Sequence, residues 1–279
     1  MRRTRQMILG IFLFTLALIA VFPVVYMLSH SLKSEELIAY IYSNEGISIW
    51  NKVFIKPFCI DLGQYYRIFF RTPEFLYLFW NSVLVTSTIV VFQVVMAILA
   101  AYGFSKIKFP GSDLLFFFYI VIMLMPFQVT LVPNYLVLHK LKLLDSYASL
   151  ILPGIFNTFG VFFLKQFMES IDLVFIEEAR LSGASELQVI RYIMVPICKP
   201  VIVSVAVLLF IDYWNMIEQP LVFITSIDKY PLSVYLSVIT SDNMAIGFAC
   251  SVLYMILPIF LMLYAENDLT SQLKLKRLT

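Results

Sequence analysis

Charge is scarce in this sequence. Only 14% of its 279 residues are Asp, Glu, Lys or Arg, and the 20 basic and 18 acidic side chains nearly cancel to +2. A chain so weakly charged offers no footprint for nucleic acid or for a polyacidic partner. Histidine and cysteine are scarcer still. His30 and His139 stand alone, and Cys59, Cys198 and Cys250 have no metal or redox spacing, so all five are read as packing or loop residues. No G-x-x-x-x-G-K-[ST] phosphate loop occurs, which removes a nucleotide site of that kind. Leu181-Ser182-Gly183-Ala184 on its own therefore does not make an ATPase signature. No acid/base, nucleophile or metal constellation supports enzyme chemistry. No fixed-period or inverted repeat stands out, and nothing marks a second domain, so residues 1–279 read as one unit.

What fills the chain is apolar: 61% of it is hydrophobic. A soluble fold could not hide that much apolar surface, so lipid is the solvent for much of it. Six spans are predicted: Ile8–Leu28, Phe75–Phe104, Leu114–Leu138, Tyr147–Leu164, Val201–Ile224 and Met244–Tyr264. The first follows Arg2, Arg3 and Arg5 and is too long for a signal h-region of roughly 7–15 residues. An even number of spans puts both termini on one side. Lys and Arg place that side in the cytosol by a modest excess, since the long 31–73 interval holds Lys33, Lys52, Lys56, Arg67 and Arg71 and long loops count least. This interval, with Trp50, Tyr65 and Tyr66, reads as an outer loop with some helix near Leu62–Phe70. The expected fold class is an all-α integral membrane protein: six transmembrane helices and a cytosolic helix–turn–helix loop at about 165–200.

That loop is the longest charged interruption after the first third of the chain. Asp172 can cap a short helix carrying Glu177, Glu178 and Arg180. Ser182-Gly183 ends it, Gly turning without a Cβ penalty. Ser185 and Gln188 form the capping box of a second helix, with Glu186 facing the positive end of its dipole. On this second helix Leu187, Ile190, Ile193, Met194 and Ile197 give one apolar face, and Pro196 and Pro200 are expected to close it.

Glu177-Glu178-Ala179, three residues, then Gly183, with Ala184 after it and Pro196 beyond, resembles the EAA loop of ABC-importer permeases. Glu178 stands where Ala is usual and Ser182 where Asp is usual. Further segments in order, Ala101–Lys106, Pro126–Pro133, Leu144–Tyr147 and Trp214-Asn215, are similar to sugar-importer permeases of the maltose type, in particular the smaller, second permease subunit. The resemblance runs from about Asn81 to Pro258. It implies a subunit forming half of a translocation pathway for a sugar, by subfamily an oligosaccharide. It implies a second permease subunit, ATPase subunits that hold ATP and Mg, and an extracytoplasmic solute-binding protein as partners. This chain would bind no cofactor itself. It would sit as a multi-pass protein in a prokaryotic plasma membrane, with the coupling loop, Glu177 to Glu186 including Ser182, Gly183, Ala184 and Ser185, docked on an ATPase.

A solute path is sought among polar residues within spans, where carboxylates cost about 2.5–3.5 kcal/mol on insertion scales. The candidates are Asp212, Trp214, Asn215 and Glu218 on the fifth span, with Gln128 and Thr130 between the prolines of the third. The family pattern would have Asp at Met216 and Trp at Gln219. An outer-interface position, with Trp214 as a belt anchor, is equally compatible with the first group. Asn81, Ser82, Thr86, Ser87, Thr88 and Gln93 on the second span read as helix-packing glue. The alternative function is an ion-coupled secondary carrier, for which Asp212 with Glu218 is the sole candidate relay.

Overall fold

The computed structural model describes residues 2–43, 60–71, 73–156, 158–238 and 243–275. The expectations for Trp50, Lys52, Lys56 and Cys59 lie outside the described residues. Among those described, every regular element is helical. Helices dominate because hydrocarbon cannot satisfy peptide groups, and a helix pairs its own. Five runs are long and apolar enough to cross a membrane: Gln6–Ser31, Glu74–Lys106, Tyr147–Glu169, Glu186–Trp214 and Met244–Glu266. A sixth is Ser112–Met123 with Phe127–Lys140, a pair bent by 99°. Two compact units divide the chain, Met1–Tyr77 with Tyr235–Leu257, and Leu78–Val234 with Pro258–Thr279.

The first unit contains α1 (Arg2–Ser31), α2 (Glu35–Ser43) and α3 (Gly63–Phe70). The helix expected at Leu62–Phe70 is therefore present. Its start is set by Asp61, whose Oδ1 accepts the Gly63 N–H at 2.7 Å. Arg67 pairs with Glu35, and Tyr65 donates to Ser31 Oγ at 2.8 Å, so α3 is tied to the end of α1 and the start of α2. His30, fully buried, packs its ring 4.0 Å from Tyr26 and 4.9 Å from Phe248. This is the packing role expected of a lone histidine.

The second unit is built on α4 (Pro73–Lys106), a continuous helix of 34 residues. Gly154 lets α7 (Tyr147–Ile155) approach it closely, since a Cβ there would lie 2.8 Å from Ile89 Cγ2. Asn81 and Ser82 act as the expected glue. Asn81 Nδ2 donates to the carbonyls of Asp228 (2.7 Å) and Tyr230 (3.1 Å), and Ser82 Oγ accepts from the Leu232 N–H at 2.8 Å.

Three expectations need correction. The third span breaks at Pro126 alone: α5 (Ser112–Met123) ends before it and α6 (Phe127–Lys140) begins after it, while Pro133 lies inside α6. The fourth span is likewise two helices, α7 and α8 (Phe159–Glu169). Pro196 and Pro200 do not close the loop's second helix. Instead α10 (Glu186–Val189), a π turn (Ile190–Met194) and α11 (Val195–Trp214) form one run from the loop into the fifth span. The wider π turn, with Val195 N–H bonded to Ile190 O, gives the ring of Pro196 room where it would otherwise meet a carbonyl four residues back. The extra residue also shifts the buried face. Val189, Met194, Cys198, Val201 and Val205 point into the core, whereas Leu187 and Ile197 are exposed.

Beyond α11 the chain makes α12 (Glu218–Phe223), a 3-10 turn (Ile227–Lys229), α13 (Leu232–Ser237) and α14 (Met244–Leu275). Asp145, at φ 57° between α6 and α7, pins this return. Its Oδ1 accepts from the Thr225 and Ser226 N–H groups (3.1 and 2.9 Å), and its Oδ2 from Ser226 Oγ (2.6 Å) and Lys229 Nζ (3.1 Å). These donors, Ser226 foremost, hold the carboxyl well below its ordinary range. A depressed carboxylate stabilises the fold above its unfolded pKa, about 3.9, and loses that contribution as pH falls below it. Thermal melts of the detergent-purified protein should therefore drop as pH falls below about 4. Asp145→Asn should melt lower at neutral pH and lose part of this acid dependence; an unchanged melt at neutral pH would refute the role.

Candidate functional site

The polar loop assembles from local rules. Asp172 Oδ1 accepts the Val174 N–H at 3.2 Å and opens α9 (Val174–Leu181). Gly183 then takes φ +83°, a conformation an L side chain resists, and its N–H donates to Arg180 O at 2.9 Å. Ser185 and Gln188 form the capping box, with the Ser185 N–H donating to Gln188 Oε1 at 2.8 Å. Ile176 and Val189, both fully buried, fasten the two helices to the core. Glu177, Glu178, Ser182, Gly183, Ser185 and Glu186 are exposed, with Ala179 and Ala184 half-buried.

Two links tie the loop to α4. Glu186 receives a two-point ion pair from Arg180, Nε to Oε1 at 2.8 Å and a terminal nitrogen to Oε2 at 3.1 Å. The same Oε2 accepts from Tyr102 Oη at 2.5 Å. The Glu186 carboxylate raises the pKa of the Arg180 guanidinium further still. Lys106 Nζ donates to Ile171 O at 2.5 Å. Apolar side chains remain on the outside: Leu181 is 89% exposed, Leu187 70% and Tyr192 67%. Between the helices a depression of about 340 Å³ is lined by residues that include Gly183, Ala184, Gln188 and Tyr192.

The second region lies where helices break. A cavity of about 480 Å³ is lined by Phe127, Thr130, Asn134, Phe156, Tyr213, Gln219 and apolar neighbours. A second, of about 560 Å³, is lined by Phe127, Asp212, Tyr213, Asn215, Glu218 and Gln219 among others. Gln128 Nε2 reaches both Glu218 oxygens at 3.2–3.3 Å, joining the starts of α6 and α12. Of the expected path residues, Thr130 lines the first cavity, and Asp212, Asn215 and Glu218 line the second. Trp214 lines neither: it is fully buried, stacked 5.3 Å from Phe210 and edge-on 5.9 Å from Phe79. The structure thus makes Trp214 a packing residue inside its unit. Sequence reasoning missed Phe127, Asn134, Phe156 and Tyr213; Phe127, Phe156 and Tyr213 stand near helix breaks, whereas Asn134 lies within α6 and carries no such signal. No lysine or arginine is found among the described residues lining either cavity.

Apolar runs of spanning length, a capped polar loop and cavities at helix breaks define a multi-pass membrane transport protein. The chain belongs to the family of binding-protein-dependent transport system inner membrane components, whose profile matches residues 93–267. It is 27% identical, over 90% of its length and 88% of theirs, to the arabinooligosaccharides transport system permease protein AraQ of Halalkalibacterium halodurans. It is 30% identical to the polygalacturonan/rhamnogalacturonan transport system permease protein YtcP of Bacillus subtilis, covering 87% of this chain and 81% of that one. The fold matches a crystal structure of a bacterial ABC transporter involved in the import of the acidic polysaccharide alginate. That match has TM-score 0.79 and 23% identity, and covers 96% of both chains. Family membership sets aside the ion-coupled carrier.

The capping box yields a local test. Ser185→Ala should weaken the start of α10 by about 0.5–2 kcal/mol. Hydrogen exchange should show faster amides over 186–190, while amides within α4 stay protected.

Proposed function

We propose that the chain is the smaller permease subunit of an ATP-driven sugar importer and that it couples to an ATPase through the 172–200 loop. The exposed face of that loop carries the reading. Leu181, Leu187 and Tyr192 are exposed, and Tyr192 lines a shallow groove, on helices fixed by a cap, a turn glycine and an ion pair. Large apolar side chains displayed on a rigid polar loop mark a docking surface. The partners are ATPase subunits, a second permease subunit in a heterodimer and an extracytoplasmic solute-binding protein. ATP and Mg belong to the ATPase subunits, and this chain contributes no nucleotide chemistry. It acts as one permease domain in a prokaryotic plasma membrane, with both termini and the loop in the cytosol.

The cavities at the helix breaks form this chain's half of the solute path. Amides, hydroxyls and aromatic faces suit a polyhydroxylated solute, and Asp212 and Glu218, with no lining cation, favour a neutral saccharide over an acidic one. The names of the relatives, arabinooligosaccharides for one and polygalacturonan for another, support an oligosaccharide without choosing its charge.

The test uses the reconstituted complex. A β-branched residue at Gly183 meets the φ +83° backbone at a cost on the order of 1–3 kcal/mol. Gly183→Val should lose the ATPase subunit on purification, or lose stimulation of ATP hydrolysis by the binding protein, with subunit yield preserved. Wild-type attachment and stimulation would refute the reading. Single cysteines at Lys108 and Lys165 should react with an impermeant thiol reagent only from the cytosol, and labelling of either from outside would overturn the orientation.

A further inference from the structure

We propose that Tyr102 and Lys106 are positioning residues that transmit displacement of the loop into α4 and along it to the segment at 228–232. The proposal rests on the reading of the loop as the ATPase-docking element. Both side chains sit in the last turn of α4, four residues apart and hence on one face. Both are buried, Tyr102 at 1% exposure and Lys106 at 7%, and they reach the chain at the starts of the loop's two different helices. Tyr102 Oη bonds Glu186 at the start of α10, and Lys106 Nζ bonds Ile171 O just before α9.

A loop held just before its first helix and at the start of its second by a single helical turn cannot shift as a body while that turn stays still. Either the foot of α4 follows, or two partly buried polar bonds break and leave the buried Tyr102 and Lys106 side chains without them. Arg180 strengthens this arrangement, because its two-point pairing with Glu186 fixes the carboxylate that Tyr102 grips. Above the foot, α4 continues without a break. Asn81 and Ser82, 20 or so residues up and about 30 Å away, hold the backbone of Asp228, Tyr230 and Leu232. One rigid helix therefore carries a polar clamp near each end, one on the loop and one on the distant return segment.

The test reads the distant end directly and needs no knowledge of the solute. In the full complex, with Cys59, Cys198 and Cys250 replaced by serine, a cysteine placed at the exposed Asp228 is labelled by an impermeant maleimide. Labelling is compared without nucleotide and with a non-hydrolysable ATP analogue, and ATP hydrolysis is measured beside it. The expected result is a nucleotide-dependent labelling rate whose change shrinks on the order of tenfold in Tyr102→Phe and in Lys106→Met, with the ATPase subunit still bound. Lys165→Gln, which cuts the Lys165–Glu169 pair on neighbouring α8, should leave the change intact. Three outcomes overturn the proposal: no nucleotide dependence in the parent complex, an undiminished change in Tyr102→Phe, or loss of the ATPase subunit from Tyr102→Phe. The last would mean that the bond only maintains the loop's fold. If Lys106→Met does not assemble, Tyr102→Phe decides, since it removes a single oxygen. Failure of the docking reading itself shows separately, as full ATPase attachment in Gly183→Val.

Discussion

A peptide group in hydrocarbon has no water to bond with, and this constraint governs where the present chain stays regular and where it does not. Over most of α1, α4, α11 and α14 the helix satisfies itself, and little but apolar side chain is asked of the sequence. At Pro126, after Ile155 and at Asn215–Ile217 the helices stop, and freed peptide groups need other partners. Those are also the places where polar side chains gather around open space. Tyr213 Oη serves Gly154 O at 3.2 Å, Thr130 Oγ1 serves Phe127 O at 2.8 Å, and Asn215 Nδ2 serves Ile211 O at 2.7 Å. Side-chain donors thus supplement the backbone bonds at the interrupted helices, beside the same breaks that the cavities border.

The same constraint explains why the chain invests its charge so locally. Asp145 and Lys229 meet at one turn, and Arg180 and Glu186 at another, each at or beyond the ends of the long apolar stretches. Exposed pairs of this kind stabilise a fold weakly by themselves. Their value here is geometric, because each fixes a return of the chain that no apolar contact would specify uniquely.

Features set by neighbours in sequence were legible without a structure. Asp172, Gly183, and Ser185 with Gln188 act within three residues of themselves, so a cap, a turn and a capping box could be read directly. So could the membrane spans, which depend on composition and length. The contacts of Tyr102 with Glu186, and of Asn81 with Asp228, join residues 84 and 147 positions apart and leave no trace in a single sequence. Of the expected apolar face of the loop's second helix, Met194 is buried and Ile190 and Ile193 pack on the core, while Leu187 and Ile197 are exposed and Val189 was overlooked. A period of 3.6 was applied across Ile190–Met194, where the helix takes one residue more. Pro196 misled for a related reason, since the wide turn before it makes room for its ring, and Pro200 lies inside α11 without ending it.

The π turn has one further consequence, for the relation between two surfaces on one continuous rod. In an unbroken α-helix each residue advances about 100°, so a face chosen for the loop would dictate the face buried in α11. The extra residue between Val189 and Met194 changes that offset, so that Val189 before it and Met194 after it both face the core. Leu187 and Tyr192 look away from the protein, while Met194, Cys198, Val201 and Val205 look into it. Like a keyed joint set at a fixed offset, the turn lets one rod run from the loop into the fifth span with its inward side kept on the core.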